Sequence, residues 1–369
     1  MTSQQEVQLI AAVIAAACAL PGVFLVLRRM AMMSDAISHT VLFGIVVGFL
    51  LTRDLGSPLL FLGAVLTGVL TVSLVELLNQ TLLVKQDAAI GLVFPVLFSI
   101  AVILISRFAG NVHLDTDAVL LGELAYAPFD RVVWQGVDLG PRALLVGSGV
   151  LLLNLGFIGL LYKELKLATF DPALAATFGF LPVLLHYSLM TIVSVTAVAA
   201  FDAVGSILVI ALMIAPPATA YLLTERLSTM LWLSVLLGVA SALAGYWLAW
   251  ALDVSIAGSM ATMTGVLFAG AFLFAPERGI VATARRRTRQ RWAFAQQMLA
   301  VHLHNHMGSS DEAEECSPAA LHGHLRWSPD FAAQVLQRAE RNGIVRREAD
   351  RLWLTEQGRN LAQGAGGGG

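Results

Sequence analysis

Ser34-Asp-Ala-Ile-Ser-His-Thr-Val-Leu-Phe-Gly44 sets a carboxylate and an imidazole inside an otherwise apolar run. On a helix, residues four apart lie on one face, so Asp35 and His39 stand close enough to share a cation. Each costs free energy in hydrocarbon, about 2.5–3.5 kcal/mol for an Asp at mid-membrane, and such residues usually face a bundle interior or a watered path. The pair is therefore a candidate ion site. The competing reading puts both residues at the end of the helix, hydrated, with Asp35 serving its first turn.

Outward from this stretch the chain is built for lipid. Of its 369 residues 57% are hydrophobic and only 13% charged, about half the charged share of a soluble domain. The net charge of -2 hides a segregation, with apolar runs up to Ala275 followed by an arginine-rich polar tail. Segments of spanning length fall at 8–27, 36–52, 57–78, 88–106, 143–162, 182–200, 204–223, 229–251 and 258–275. The expected fold is an all-α polytopic membrane protein of about nine transmembrane helices, eight being possible, with a small α+β domain behind it. The span 204–223 holds Gly205, Pro216 and Pro217, so a broken helix is expected there.

Arg285, Arg286, Arg287, Arg289 and Arg291 lie just past the last span, which predicts a cytoplasmic C-terminus and, with nine spans, an N-terminus outside. The first residues lack a basic region ahead of the apolar run, which points to a retained span and not a cleaved signal. Cys18 and Cys316 are the only cysteines and imply no disulfide framework. None of the three lysines, Lys85, Lys163 and Lys166, follows a glycine, so the chain has no phosphate-binding Gly-Lys-Ser/Thr loop and cannot itself hydrolyse ATP by that route.

Two connections stand out. Residues 113–126 predict a short surface helix on the outer side with solvated charges, to which no ligand role is given. Between Lys163 and Leu181, Asp171-Pro172 reads as a cap with proline in the first turn, and Gly179 then closes a short amphipathic helix. That helix could pass motion from a soluble partner or lie passively at the interface.

Taken together, Asp35-Ala-Ile-Ser-His39, Phe170-Asp-Pro-Ala-Leu-Ala175 with Gly179, the run Val204-Gly-Ser to Ala220 with Pro216-Pro217, and Ala257 to Gly265 with Phe274-Ala-Pro-Glu-Arg-Gly279 resemble the membrane permease subunits of bacterial manganese, iron and zinc ABC importers. The resemblance spans residues 1 to about 280. It implies a transport subunit and not an enzyme, in the bacterial inner membrane. The expected partners are a second permease subunit, an extracytoplasmic metal-binding lipoprotein and a separate ATPase subunit. The cargo would be a divalent metal, manganese before iron or zinc, with no permanently bound cofactor. The family's metal-coordinating residues fall on Asp35 and His39, and its ATPase-contacting segment on Phe170, Asp171, Pro172, Ala175 and Gly179. Leu42-Phe43-Gly44 lacks the proline many relatives carry, and Asp202 stands where they have an uncharged residue. Asp202 is read either as a third ligand at the outer mouth or as a helix cap.

Residues 281–316 read as a basic, His-rich and acidic linker, in which His302, His304 and His306 near the acids and Cys316 either bind a divalent metal or are solvated. Their spacing matches no structural zinc framework. Residues 317–363 predict a helix, a hairpin around Asp350 and a last helix, resembling the winged-helix domains of metal-dependent repressors, and 364–369 a glycine-rich tail. With seven Arg against five acids, the domain has too small a basic footprint to argue for nucleic acid. Two other functions fit the composition: a membrane-tethered metal-responsive regulator and an ion-coupled secondary metal carrier.

Overall fold

The computed structural model describes residues 2–54, 57–108, 124–134, 137–309, 312–318, 321, 325–348 and 351–366. The chain divides into two units, Met1–Gly279 and Ile280–Gly369. In the first, the apolar runs become α1 (Ser3–Leu27), α2 (Ala31–Thr52), α3 (Pro58–Gln80), α4 (Gln86–Phe108) and α5 (Arg142–Leu160). Two short helices follow, α6 (Tyr162–Phe170) and α7 (Pro172–Thr177), then α8 (Pro182–Leu223), α9 (Leu227–Leu252) and α10 (Ile256–Phe274). Eight of these, among the described residues, are long and apolar enough to cross a membrane. Local chemistry sets several starts: Thr2 and Gln5 form a capping box on α1, and the Ser57 and Ser255 hydroxyls accept from the Leu59 and Gly258 amides in the first turns of α3 and α10.

The centre of this unit is α1, whose residues from Ile10 to Leu25 are almost all buried, packed against α5, α8 and α9. Pro21 removes an amide from α1 and leaves the Ala17 carbonyl without its helical donor. Asn154 of α5 supplies the replacement: its Nδ2 donates to Ala17 O at 2.8 Å and to Thr196 Oγ1 of α8 at 3.0 Å. A proline and a buried amide on two packed helices thus solve each other's hydrogen-bonding problem in an apolar interior.

At 42 residues, α8 would be ~63 Å long if straight, twice a bilayer's hydrocarbon thickness. It is not straight. Gly205 takes φ 75° and ψ 164°, a conformation open to glycine almost alone. Before it, His186 meets Arg28 at the end of α1 and Thr196 meets Asn154 beside Ala17, so this arm climbs α1 backwards. After it, Met213 and Pro217 lie against Gly22, and the Tyr221 carbonyl accepts from Arg278 just past α10. The chain therefore reverses at Gly205, both ends of α8 lie at the Arg28 end of the bundle, and counting its two arms separately gives nine apolar passes among the described residues. The break expected over 204–223 falls at the glycine; Pro216 and Pro217 stay helical, since the chain bends where φ can turn positive.

At the opposite end, β1 (Arg131–Trp134) pairs antiparallel with β2 (Val137–Pro141). Arg131 donates to Asp138 at 2.6 Å and to Glu6 of α1 at 3.3 Å, tying the hairpin to the helix. The Gly140 amide and then Arg131 hold the Asp138 carboxyl below the usual carboxylate range. This hairpin is not evident in the sequence, and the helix expected at 113–126 lies mostly outside the described residues.

The second unit contains α11 (Ile280–His306), α12 (Glu312–Glu315), α13 (Pro329–Arg341), a hairpin of β3 (Val345–Glu348) and β4 (Arg351–Leu354), and α14 (Glu356–Gly366). Over 317–363 the described elements run helix, hairpin, helix; Asp350 itself lies outside the described residues. Part of the basic and His-rich stretch 281–316 packs into this unit. Ala295, Leu299 and Leu303 recur every fourth residue along α11 and are buried with Val335, Leu336, Leu352 and Leu354, so α11 supplies part of this unit's core. One of its arginines makes a ring contact: the Arg291 guanidinium lies 4.7 Å from the Phe331 ring centre.

Candidate metal site

Helix α2 begins at Ala31, and its N-cap, Met30, makes no side-chain cap bond. Asp35 is thus one turn inside the helix and does not cap it. The helix runs unbroken through Leu42-Phe43-Gly44, as expected without a proline there. His39 Nε2 stands 3.5 Å from Asp35 Oδ1, and the side chains are 31% and 33% exposed. Two ligands each about 2.0–2.2 Å from one tetrahedral metal lie ~3.4 Å apart, so the pair already has a chelating separation.

The imidazole is held from α4. It stacks on Phe94 with ring centres 5.6 Å apart and meets the edge of Phe98 at 6.1 Å. Those rings are four residues apart on α4, around Pro95, and their one-turn repeat cradles a single side chain. On the buried side of α2, the Ser34 and Ser38 hydroxyls have no protein hydrogen-bond partner among the described residues; nor does Ser194 on α8. The sequence pointed to Asp35 and His39, but not to Phe94 and Phe98, because aromatic residues in a span ordinarily read as packing.

Asp202 is not brought to the pair. Ile37, between Asp35 and His39, faces Gly68, which also faces Ser194. Asp202 is eight residues further along α8, ~12 Å toward the far end, exposed beside the Gly205 reversal.

At the Arg28 end, Asp171 Oδ1 accepts from Leu174 N at 2.9 Å, Pro172 occupies the first turn of α7, and Gly179 takes φ +83° to end it. Ala175 is fully buried, whereas Phe170, Leu174, Phe178 and Leu181 are exposed around it. One point escaped the sequence: Arg28 Nε donates to Thr169 Oγ1 at 3.2 Å, and its Nη1 lies 3.4 Å from His186 Nδ1. This contact joins α1, α6 and α8. The lone His186 in an apolar run was its only signal.

Comparison with known proteins adds the following. The model of the ABC 3 transport family matches residues 2–275. The zinc transport system membrane protein TroD of Treponema pallidum (strain Nichols) is 51% identical over 358 residues, covering 97% of each chain, and so is matched through most of the second unit as well. The manganese transport system membrane protein MntD of Bacillus subtilis (strain 168) is 52% identical over 269 residues, 73% of this chain and 91% of its own. Among solved structures, PsaBC from Streptococcus pneumoniae in complex with Fab matches with a TM-score of 0.63 at 28% identity, covering 75% of this chain and 94% of that one.

Proposed function

The chain belongs to the ABC 3 transport family, and from that footing we propose that Asp35 and His39 hold a divalent transition metal in transit, manganese before iron or zinc. It is a transmembrane permease subunit of an ABC importer and not an enzyme; ATP is hydrolysed by a separate subunit. The regulator and secondary-carrier readings give way to this membership. The observation that carries the metal reading is the separation of 3.5 Å between imidazole and carboxylate one turn inside a membrane helix.

A carboxylate and an imidazole suit Mn(II), Fe(II) or Zn(II), and no thiolate accompanies them to favour softer ions. Two donors per chain leave coordination positions for water and for the same pair from a second permease subunit. Four protein donors with two waters would make a six-coordinate shell, which suits manganese, whereas four protein donors alone would suit tetrahedral zinc. Incomplete coordination within one chain also keeps the ion exchangeable, as transport requires.

In this reading the Glu6 end of the bundle faces outside, where an extracytoplasmic metal-binding lipoprotein delivers the ion. The Arg28 end faces the cytoplasm of a cell whose inner membrane holds the protein. The exposed apolar side chains Phe170, Leu174, Phe178 and Leu181 offer a hydrophobic seat for the ATPase, with Asp171, Pro172, Ala175 and Gly179 fixing the turn that presents them. Arg28 carries movement of α6 to α1 and α8 through Thr169 and His186.

The test is ATP-dependent uptake of Mn(II), Fe(II) and Zn(II) into vesicles holding the assembled transporter. Asp35→Asn and His39→Ala are expected to abolish uptake while the complex still assembles. Undiminished uptake by both variants would move the site elsewhere.

A further inference from the structure

We propose that the second unit carries a divalent-metal site of its own, formed by His302 and His306 of α11 with Glu315 of α12. The two histidines are one turn apart on the same face of α11, their ring centres 4.8 Å from each other. The turn at Gly308, with φ +81°, sends the chain back so that α12 delivers Glu315 to that face. Its Oε2 lies 3.6 Å from His302 Nε2, and one donor atom from each of the three residues lies within 4.8 Å of the others. Modest side-chain adjustment brings these separations to the ~3.4 Å expected between ligands of one tetrahedral ion.

The surroundings favour a cation. The His302 and Glu315 side chains are only 8% and 11% exposed, and a carboxylate withdrawn this far from water is stabilised by charge-compensating ligation. His302 Nε2 also lies 3.2 Å from the Glu315 carbonyl oxygen. In that contact Nε2 donates to the carbonyl, so binding a metal through Nε2 moves the ring proton to Nδ1 and exchanges this hydrogen bond for the metal bond.

The scaffold is fixed. Leu299 and Leu303 anchor α11 in the core, and the Leu352 amide of β4 donates to the Cys316 carbonyl at 2.9 Å, holding the residue beside Glu315. The neighbouring carboxylate is otherwise engaged: Glu312 Oε2 accepts from the Gly308 amide at 2.7 Å. His304 is exposed on another face of α11. Three protein ligands and an open position describe an exchangeable site and not a closed structural one. This distinguishes His302 and His306 from His304 within a run whose sequence pointed more to solvation than to metal binding.

The site is independent of the transport pair, and its test is arranged accordingly. Full-length protein in detergent, carrying Asp35→Asn and His39→Gln to silence the membrane pair, is freed of metal and titrated with Co(II). A saturable visible ligand-field spectrum is expected, lost on adding His306→Gln or Glu315→Gln while the helical circular dichroism is unchanged. Absence of that spectrum from the silenced protein, or its survival in both variants, would overturn the site. A second measurement needs no substitution in the second unit: Zn(II) should slow carbethoxylation of His306 in the unsubstituted full-length chain but not of exposed His304. Equal labelling of His306 with and without Zn(II) would overturn it as well.

Discussion

Gly44 of α2 and Gly63 of α3 touch backbone to backbone: a Cβ on either would run into the carbonyl of the other. In lipid there is no hydrophobic gain from joining two helices, so close approach through small residues is a main source of their attraction. This contact fixes the height of α2, and with it His39, five residues earlier. Gly44→Ala is expected to destabilise the bundle by about 1–3 kcal/mol through forced separation of the helices. It should also lower metal uptake with the Asp35–His39 pair intact. Unfolding in detergent reads the first effect and vesicle uptake the second; an unchanged midpoint would mean that α2 and α3 do not meet so closely.

Among the elements, α8 depends most on one backbone conformation. At φ 75° and ψ 164°, Gly205 turns one long apolar helix into two antiparallel crossings. A side chain there costs about 1–3 kcal/mol in backbone strain. Gly205→Ala should therefore lower the unfolding midpoint in detergent, whereas an unaffected midpoint would place the reversal elsewhere.

The α6–α7 connection makes a different prediction. Because Phe178 is exposed and Ala175 beneath it is buried, Phe178→Asp should leave the fold unchanged while weakening co-purification with the ATPase and reducing uptake. Full retention of the ATPase by Phe178→Asp would argue for a passive interfacial helix. Arg28→Ala distinguishes seat from relay: with Thr169 and His186 released, ATPase binding should persist while uptake falls.

For the whole molecule, the division after Gly279 separates a membrane unit from a second unit with its own hydrophobic core. Removing residues 282–369 is expected to leave insertion, assembly and uptake in place. Loss of uptake by a correctly inserted truncated chain would make the second unit part of the transport machinery.

The sequence determined the spans, because a lipid environment demands long uninterrupted apolar runs and polar residues bound them. It also determined the Asp35–His39 pair, since helical spacing alone sets residues four apart on one face and two ionisable groups are conspicuous among apolar ones. The absence of a phosphate-binding loop was equally plain. Only the tertiary structure decided what lies beside what. Phe94 and Phe98 against His39, Asn154 on the carbonyl that Pro21 leaves open, and Arg28 between Thr169 and His186 are contacts between segments far apart in the chain, which no local pattern encodes. The same holds for α11. Its charged surface reads as a linker until the stripe of Ala295, Leu299 and Leu303 finds α13 and β4, and only the turn back at Gly308 shows that Glu315 joins His302 and His306 while His304 points away.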